Sequence, residues 1–266
     1  MRARWWWWWG GEDTPLVEAL GMPAWDAWLH GDVVMETLLQ RGARRLDQEA
    51  HLDRLVASVQ ASAGDVNSLQ GLRRAFALCD TPAGRLQLYC PPVAQPAAHP
   101  RAAMRWSPCA QREGPPPPLR LVTLDLPHPL QGAYGKTVSL HWARSAMRQA
   151  LRAGADEALL LHEGHALETD HGTLLWRSDQ GWHTPDAARC ATLPSVTLDA
   201  LRPALRPSAV WGEALRHPAW IEGVRALYVV SALRRIQPVV SVDGIALSLD
   251  EEEAARLWRL SCGGDA

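Results

Sequence analysis

Lys136, in the run Gly135-Lys136-Thr137, is the residue whose type asks most for chemistry. The chain carries 27 lysines and arginines, and Lys136 is the single lysine among them. Where only positive charge is needed, this composition predicts arginine. A guanidinium stays protonated and is a poor nucleophile. A lysine amine whose pKa is depressed can attack a carbonyl and form a Schiff base. An arginine-biased composition also leaves an occasional lysine by chance, so the other polar positions carry weight. Glu168 stands among apolar neighbours on a strand, an expensive place for an unpaired charge and also an ordinary place for an exposed strand residue. Arg54, in His51-Leu52-Asp53-Arg54-Leu55, lies on a helical pattern, where a solvated arginine is the simpler reading. Ser195-Val196-Thr197 precedes a helix and reads equally as a plain N-cap.

These residues are positioned by two groups of elements. Gly31–Leu39 is rich in β-formers and ends at the turn signal Arg41-Gly42, which predicts a strand. Asp47 is expected to cap a helix on which Leu52, Leu55, Val56 and Val59 share a face and which Gly64 stops. A second helix is expected over Leu69–Leu78, and a half-buried strand over Arg85–Cys90 with Leu86, Leu88 and Cys90 on one side. Pro91–Pro100 is too rich in proline to be regular. The run Pro115–Pro118 favours a stiff, extended spacer. The expected organisation is therefore a small α+β domain over 1–111, a proline-rich linker over 112–118 and a larger domain over 119–266.

Beyond the linker, Leu119–Leu124 restarts as a strand, and a helix is expected from Ser139 to Ala153 after the Lys136 loop. Ala158–His162 and Ala166–Glu168 read as strands about the turn Glu163-Gly164-His165, and Gly172–Arg177 as another. A helix is expected after Leu193-Pro194-Ser195-Val196-Thr197 through Leu205, then strands at Ala226–Val230 and Val239–Val242. Asp250 with Glu253 forms a capping-box start for the last helix. Strands and helices that do not strictly alternate indicate an α+β or mixed-barrel fold.

Bulk properties narrow the function. The 266 residues are 47% hydrophobic, enough for a sizeable core. A net charge of −2 with no basic block argues against nucleic acid as a partner. Five scattered cysteines without a C-x-x-C pair read as free thiols in a reducing compartment, with no metal site. No apolar run approaches the ~20 residues that span a bilayer. Trp5–Trp9 after Met1-Arg2-Ala3-Arg4 is too short for a signal sequence, so a cytoplasmic protein is expected. The tryptophan run itself is left as an edge strand, a partner contact or an unusual terminus.

If Lys136 carries pyridoxal 5′-phosphate (PLP), three further parts are required. A carboxylate must face the ring nitrogen, a helix N-terminus must offer amides to the phosphate, and an arginine must grip the same phosphate. The runs GDVVMETL, HLDRL, GKT followed by a helix and AGADEALLL, LETDHGTLLW, LPSVT and ALRRIQPVVSVDG occur in the order that resembles the class IV (fold type IV) PLP enzymes. That family includes branched-chain and D-amino-acid aminotransferases and 4-amino-4-deoxychorismate lyase. The resemblance covers about Gly31 to Gly244. It implies a small α+β domain joined to a larger pseudo-barrel domain, in a homodimer. It implies that Lys136 bonds covalently to PLP, that Arg54 and the amides of Val196 and Thr197 beside Ser195 hold the phosphate, and that Glu168 meets the pyridine nitrogen. Thr173 stands where the family has asparagine, Ser195 where it has glycine, Ser231 and Arg235 where the lyases have asparagine and glycine, and Met35 where an aromatic is common.

Ala232-Leu233-Arg234-Arg235-Ile236-Gln237-Pro238-Val239 is closest to the lyase pattern. The implied activity is conversion of 4-amino-4-deoxychorismate to p-aminobenzoate and pyruvate, a step of folate synthesis. Arg234 is the candidate for a substrate carboxylate, with His30 and His141 lining the site. An aminotransferase for D- or branched-chain amino acids is the second reading. An idle homologue acting as a binding protein is the third.

Overall fold

The structure is a computed structural model that describes residues 2–25, 28, 32–62, 66–69, 71–92, 99–128, 135–139, 141–217 and 219–264. The chain forms two compact units, one of Met1–Gln111 with Ala133–Ser139 and one of Arg112–Gly132 with Leu140–Ala266.

The first unit contains β1 (Arg4–Trp8), β2 (Val17–Ala19), β3 (Val34–Arg41), β4 (Arg44–Arg45), helix α1 (Gln48–Ala61), helix α2 (Leu72–Leu78), β5 (Gly84–Cys90) and β6 (Ala102–Ser107). The strands form one antiparallel sheet in the order β2-β1-β6-β5-β3-β4. Side chains alternate across a strand, and this decides the fate of the tryptophan run. Trp6 and Trp8 are 5% and 0% exposed and enter the core beside Leu38, Leu88, Met104 and Trp106. Trp5 and Trp7 face the other way, where Trp5 stacks on Tyr89. The run is thus a strand, but an interior one, because β2 covers its outer edge. The indole N–H groups of Trp7 and Trp8 donate to the carbonyls of Gly21 and Thr14.

Leu52, Leu55 and Val59 turn α1 onto this sheet, as their spacing predicts. Asp47 precedes α1 but does not cap it with its side chain. It sits in the left-handed region (φ 51°), and its backbone carbonyl accepts from His51 N–H. The expected helix over 69–78 is two pieces, a 3₁₀ turn at Val66–Leu69 and α2. Gly71 separates them: its φ is +87°, and a Cβ there would lie 2.4 Å from the Gly11 carbonyl oxygen. Gly31 and Gly64, expected to flank β3 and α1, lie outside the described residues.

The second unit contains β7 (Leu119–Asp125), α3 (His141–Arg152), β8 (Glu157–His162), β9 (His165–Thr169), β10 (Thr173–Ser178), β11 (Gly181–Pro185), α4 (Val196–Leu205), β12 (Ser208–Val210), α5 (Ala219–Glu222), β13 (Ala226–Ser231), β14 (Arg235–Val242), β15 (Ile245–Ala246) and α6 (Glu251–Ser261). Its sheet runs β12-β11-β10-β13-β14-β7-β8-β9, with β15 on β14. β7 is parallel to both β8 and β14, and most other pairs are antiparallel. β9 lies at one end of this order and β10 is third from the other. The turn between them is nevertheless tight, with Thr169 N–H donating to the Gly172 carbonyl at 2.8 Å. The sheet must therefore curl into a half-barrel to bring the two strands together. The fold is α+β, of fold type IV. Leu159, Leu174, Leu227, Val229 and Val239 fill its core, joined by Ala146 and Ala150 of α3. Asp250 caps α6 by accepting from Glu253 N–H. The box is not closed, because the Glu253 carboxylate accepts from Tyr228 Oη and pairs with Arg177.

Candidate active site

On the first unit the site begins with a carboxylate where a strand should be apolar. Alternation along β3 places Glu36 on the same face as Val34 and Leu38, and all three are fully buried. A buried charge needs partners. α1 supplies two, three residues apart and hence on one helix face. Arg54 grips Glu36 with both prongs of its fork, and His51 Nδ1 lies 2.9 Å from Oε2. Burial pushes the Glu36 carboxyl upward. The hydrogen bonds and charge of Arg54 outweigh that, aided by His51 and the charge of Lys136, and hold it at about 2. Burial lowers the His51 pKa, against the pull of Glu36. A neutral His51 therefore donates from Nδ1 to the carboxylate.

Lys136 is held beside this cluster by its backbone. Its N–H donates to Ser58 Oγ of α1 at 3.3 Å, and its carbonyl accepts from Met35 N–H of β3 at 2.8 Å. Val138 N–H donates to the Val33 carbonyl at 2.9 Å. Gly135 (φ +75°) makes this close approach possible, since a Cβ there would lie 2.5 Å from Ser58 Cβ. The structure thus brings Lys136 and Arg54 to the same stretch of β3.

On the second unit, Glu168 is half-buried on β9, and its charge helps raise the pKa of the Cys190 thiol, behind burial and Asp186. Thr173 is buried at the head of β10, with its backbone paired to Val230. Ser195 caps α4, its Oγ accepting from Leu198 N–H at 3.3 Å. The amides of Val196 and Thr197 then head the helix with no partner among the described residues, as the first turn of a helix leaves them. Arg234 donates to Gln237 Oε1 at 2.9 Å and pairs with Glu157, a buried carboxylate. Asp170 and His171 adjoin Glu157, and the three offer ligand atoms within 4.8 Å of one another. Arg234 already supplies a cation to that cluster. His30 lies outside the described residues, as does the side chain of His141, which opens α3.

Glu36, His51 and Ser58 do not stand out as site residues in the sequence. Glu36 had a signal, a charge in phase with the buried face of β3. Ser58 had none, since its partner lies 78 residues away.

The family described as Amino-transferase class IV matches residues 33–242, and the chain belongs to it. Three solved structures share its fold. The PLP-bound form of a hypothetical aminotransferase from Mycobacterium tuberculosis is 24% identical, with a TM-score of 0.78, covering 97% of this chain and 98% of that one. A fold IV transaminase from Curtobacterium pusillum is 20% identical, with a TM-score of 0.78, covering 96% and 97%. A provisionally named 4-amino-4-deoxychorismate lyase from Legionella pneumophila is 20% identical, with a TM-score of 0.67, covering 90% and 93%. No curated protein sequence matches significantly.

The cofactor of this class is PLP. The donor set fits it. The orphan amides at the positive end of the ten-residue helix α4 suit a phosphate. Lys136 supplies an amine on a backbone fixed from both sides. Among the described residues, no helix is long and apolar enough to cross a membrane.

Proposed function

We propose that the protein is a PLP-dependent lyase that converts 4-amino-4-deoxychorismate to p-aminobenzoate and pyruvate, and that it acts as a homodimer. The observation that carries this reading is the β13–β14 turn and its continuation, Ser231 to Val239, whose sequence resembles the lyase pattern. The likeness to the Legionella protein supports it.

PLP, when bound, supplies an electron sink for the carbon that carries the substrate nitrogen. The remaining work falls to this chain's residues. Lys136 Nζ removes the proton from that ring carbon and holds it. The carbon–oxygen bond to the enolpyruvyl group breaks, the ring becomes aromatic, and the leaving enol takes up a proton to become pyruvate. The two products together therefore account for every atom of the substrate. Glu168 would meet the pyridine nitrogen and keep its proton in place. Arg54, oriented by Glu36, and the amides of Val196 and Thr197, with Ser195 and Thr173, are the groups that would hold the phosphate. Arg234 receives a substrate carboxylate, for which it must share or release Glu157.

A class IV aminotransferase is the second reading, favoured by the Mycobacterium and Curtobacterium structures. The test is p-aminobenzoate formation by the PLP-loaded protein given 4-amino-4-deoxychorismate. Product with the wild type and none with Lys136→Ala supports the lyase. No product, together with amino-group transfer from an amino acid to a keto acid, replaces it with the aminotransferase.

A further inference from the structure

Arg235 occupies a position that ought to reject it. It follows the tight turn 232–234 with φ +62°, a left-handed conformation that favours glycine, and glycine is the residue at this point in the lyase pattern it resembles. It is also 1% exposed, so its guanidinium has been taken out of water. A glycine would remove both penalties. A residue kept in a strained conformation points to a function that offsets the strain.

What the guanidinium does is visible in its bonds. Nη1 donates to Thr197 Oγ1 at 3.2 Å, and Nη2 donates to the Ser261 carbonyl. Thr197 is the second residue of α4 and Ser261 the last of α6. One side chain therefore ties the start of β14, the last turn of α6 and the first turn of α4. The two helix ends differ electrostatically. A cation at the carbonyl end of α6 complements that helix dipole, whereas a cation at the amide end of α4 adds to positive potential already there. That second contact is unfavourable until an anion settles on the amides.

We propose that Arg235 is a positioning residue for the phosphate of PLP. It holds Thr197 from behind and sets the Val196 and Thr197 amides, and its charge strengthens the field in which the phosphate binds. This rests on the reading that the α4 N-terminus takes the phosphate, so the test separates the two. Apoprotein is titrated with PLP and, separately, with pyridoxal, which lacks the phosphate. The readout is the ratio of the two affinities, followed beside the apoprotein Tm.

Val196→Pro tests the underlying reading. Proline is tolerated at the first helical position and removes one amide donor. The ratio should fall while the helix stays intact, and an unchanged ratio removes both the reading and the inference. Arg235→Gly should lower PLP affinity on the order of tenfold or more, as loss of a supporting partner does at metal sites, with pyridoxal affinity little changed. Thr197→Val, which keeps the amide and the side-chain shape, should lower the ratio similarly, and the double variant should be no worse than either single one. The Thr197→Val result stands even if Arg235→Gly does not fold. A fall in Val196→Pro without a fall in Thr197→Val, or equal loss of PLP and pyridoxal binding in Arg235→Gly, overturns the role of Arg235.

Discussion

Arg54 and Glu36 form a two-pronged ion pair, Nε to Oε1 at 2.7 Å and Nη2 to Oε2 at 2.8 Å, in which the Glu36 side chain is wholly buried and the Arg54 side chain is 16% exposed. The pair joins α1 to β3 and fixes the direction of the arginine. Removing either partner strands the other. Glu36→Gln and Arg54→Met should each destabilise the protein by roughly 3–5 kcal/mol, as broken buried pairs do. Urea unfolding checks this, and losses below about 1 kcal/mol would mean that the pair is not what joins α1 to the strand.

The same carboxylate makes the protein acid-sensitive. Its folded pKa is about 2 against an ordinary 4.5, so its contribution is complete above 4.5 and is lost as pH falls from there toward 2. The shift amounts to about 3 kcal/mol. His51, whose pKa burial lowers from 6.5, acts in the same direction, because the unfolded chain takes up its proton first below 6.5. Urea midpoints measured from pH 7 to 3 should fall through pH 4.5 in the wild type and much less in Glu36→Gln. Parallel curves would refute the assignment.

His171 should behave in the opposite sense. Its Nδ1 lies 2.7 Å from Asp170 Oδ2, and that pairing raises its pKa above 6.5 against the effect of burial. Its contribution is present below 6.5 and is lost as pH rises through the raised value. Proton NMR should place the imidazole titration above 6.5 and move it down in Asp170→Asn. No movement would assign the shift to another group.

Gly135→Ala should disturb catalysis by moving Lys136. The new Cβ meets Ser58 at 2.5 Å on a backbone at φ +75°. Misplacement of a reacting group by about 1 Å costs roughly a hundredfold in rate. Ser58→Ala removes only the 3.3 Å hydrogen bond and should cost less. Steady-state kinetics on both variants would show this order, and equal small losses would mean that the lysine is not held by this contact.

Lys136→Ala should abolish turnover, and borohydride should no longer trap cofactor on the protein, since no other lysine is present. Glu168→Ala should retain the trapped cofactor yet lose most of the rate, because its role lies in the ring's electronics. Wild-type turnover in Lys136→Ala would end the PLP mechanism.

The sequence by itself determined what repeats locally. The period of α1 put Leu52, Leu55 and Val59 on the core, and alternation in Arg85–Cys90 put Leu86, Leu88 and Cys90 there. The single lysine and the order of the motifs pointed to the class to which the chain belongs. Asp47 stands at the N-cap position as expected, but its side chain makes no cap bond, because cap geometry depends on the backbone angle, which the turn before α1 sets. The tryptophan run was unreadable because five identical residues carry no alternation. Only sheet pairing with β2 and β6 divided them into core and surface. Tertiary structure likewise decided that residues 136 and 138 join β3, that Glu36 is the partner of Arg54, and that Arg235 reaches Thr197 and Ser261. These contacts join residues 18 to about a hundred positions apart in the chain. Local propensity acts over a few residues, whereas such pairings are fixed only when burial of the core closes the loops between them.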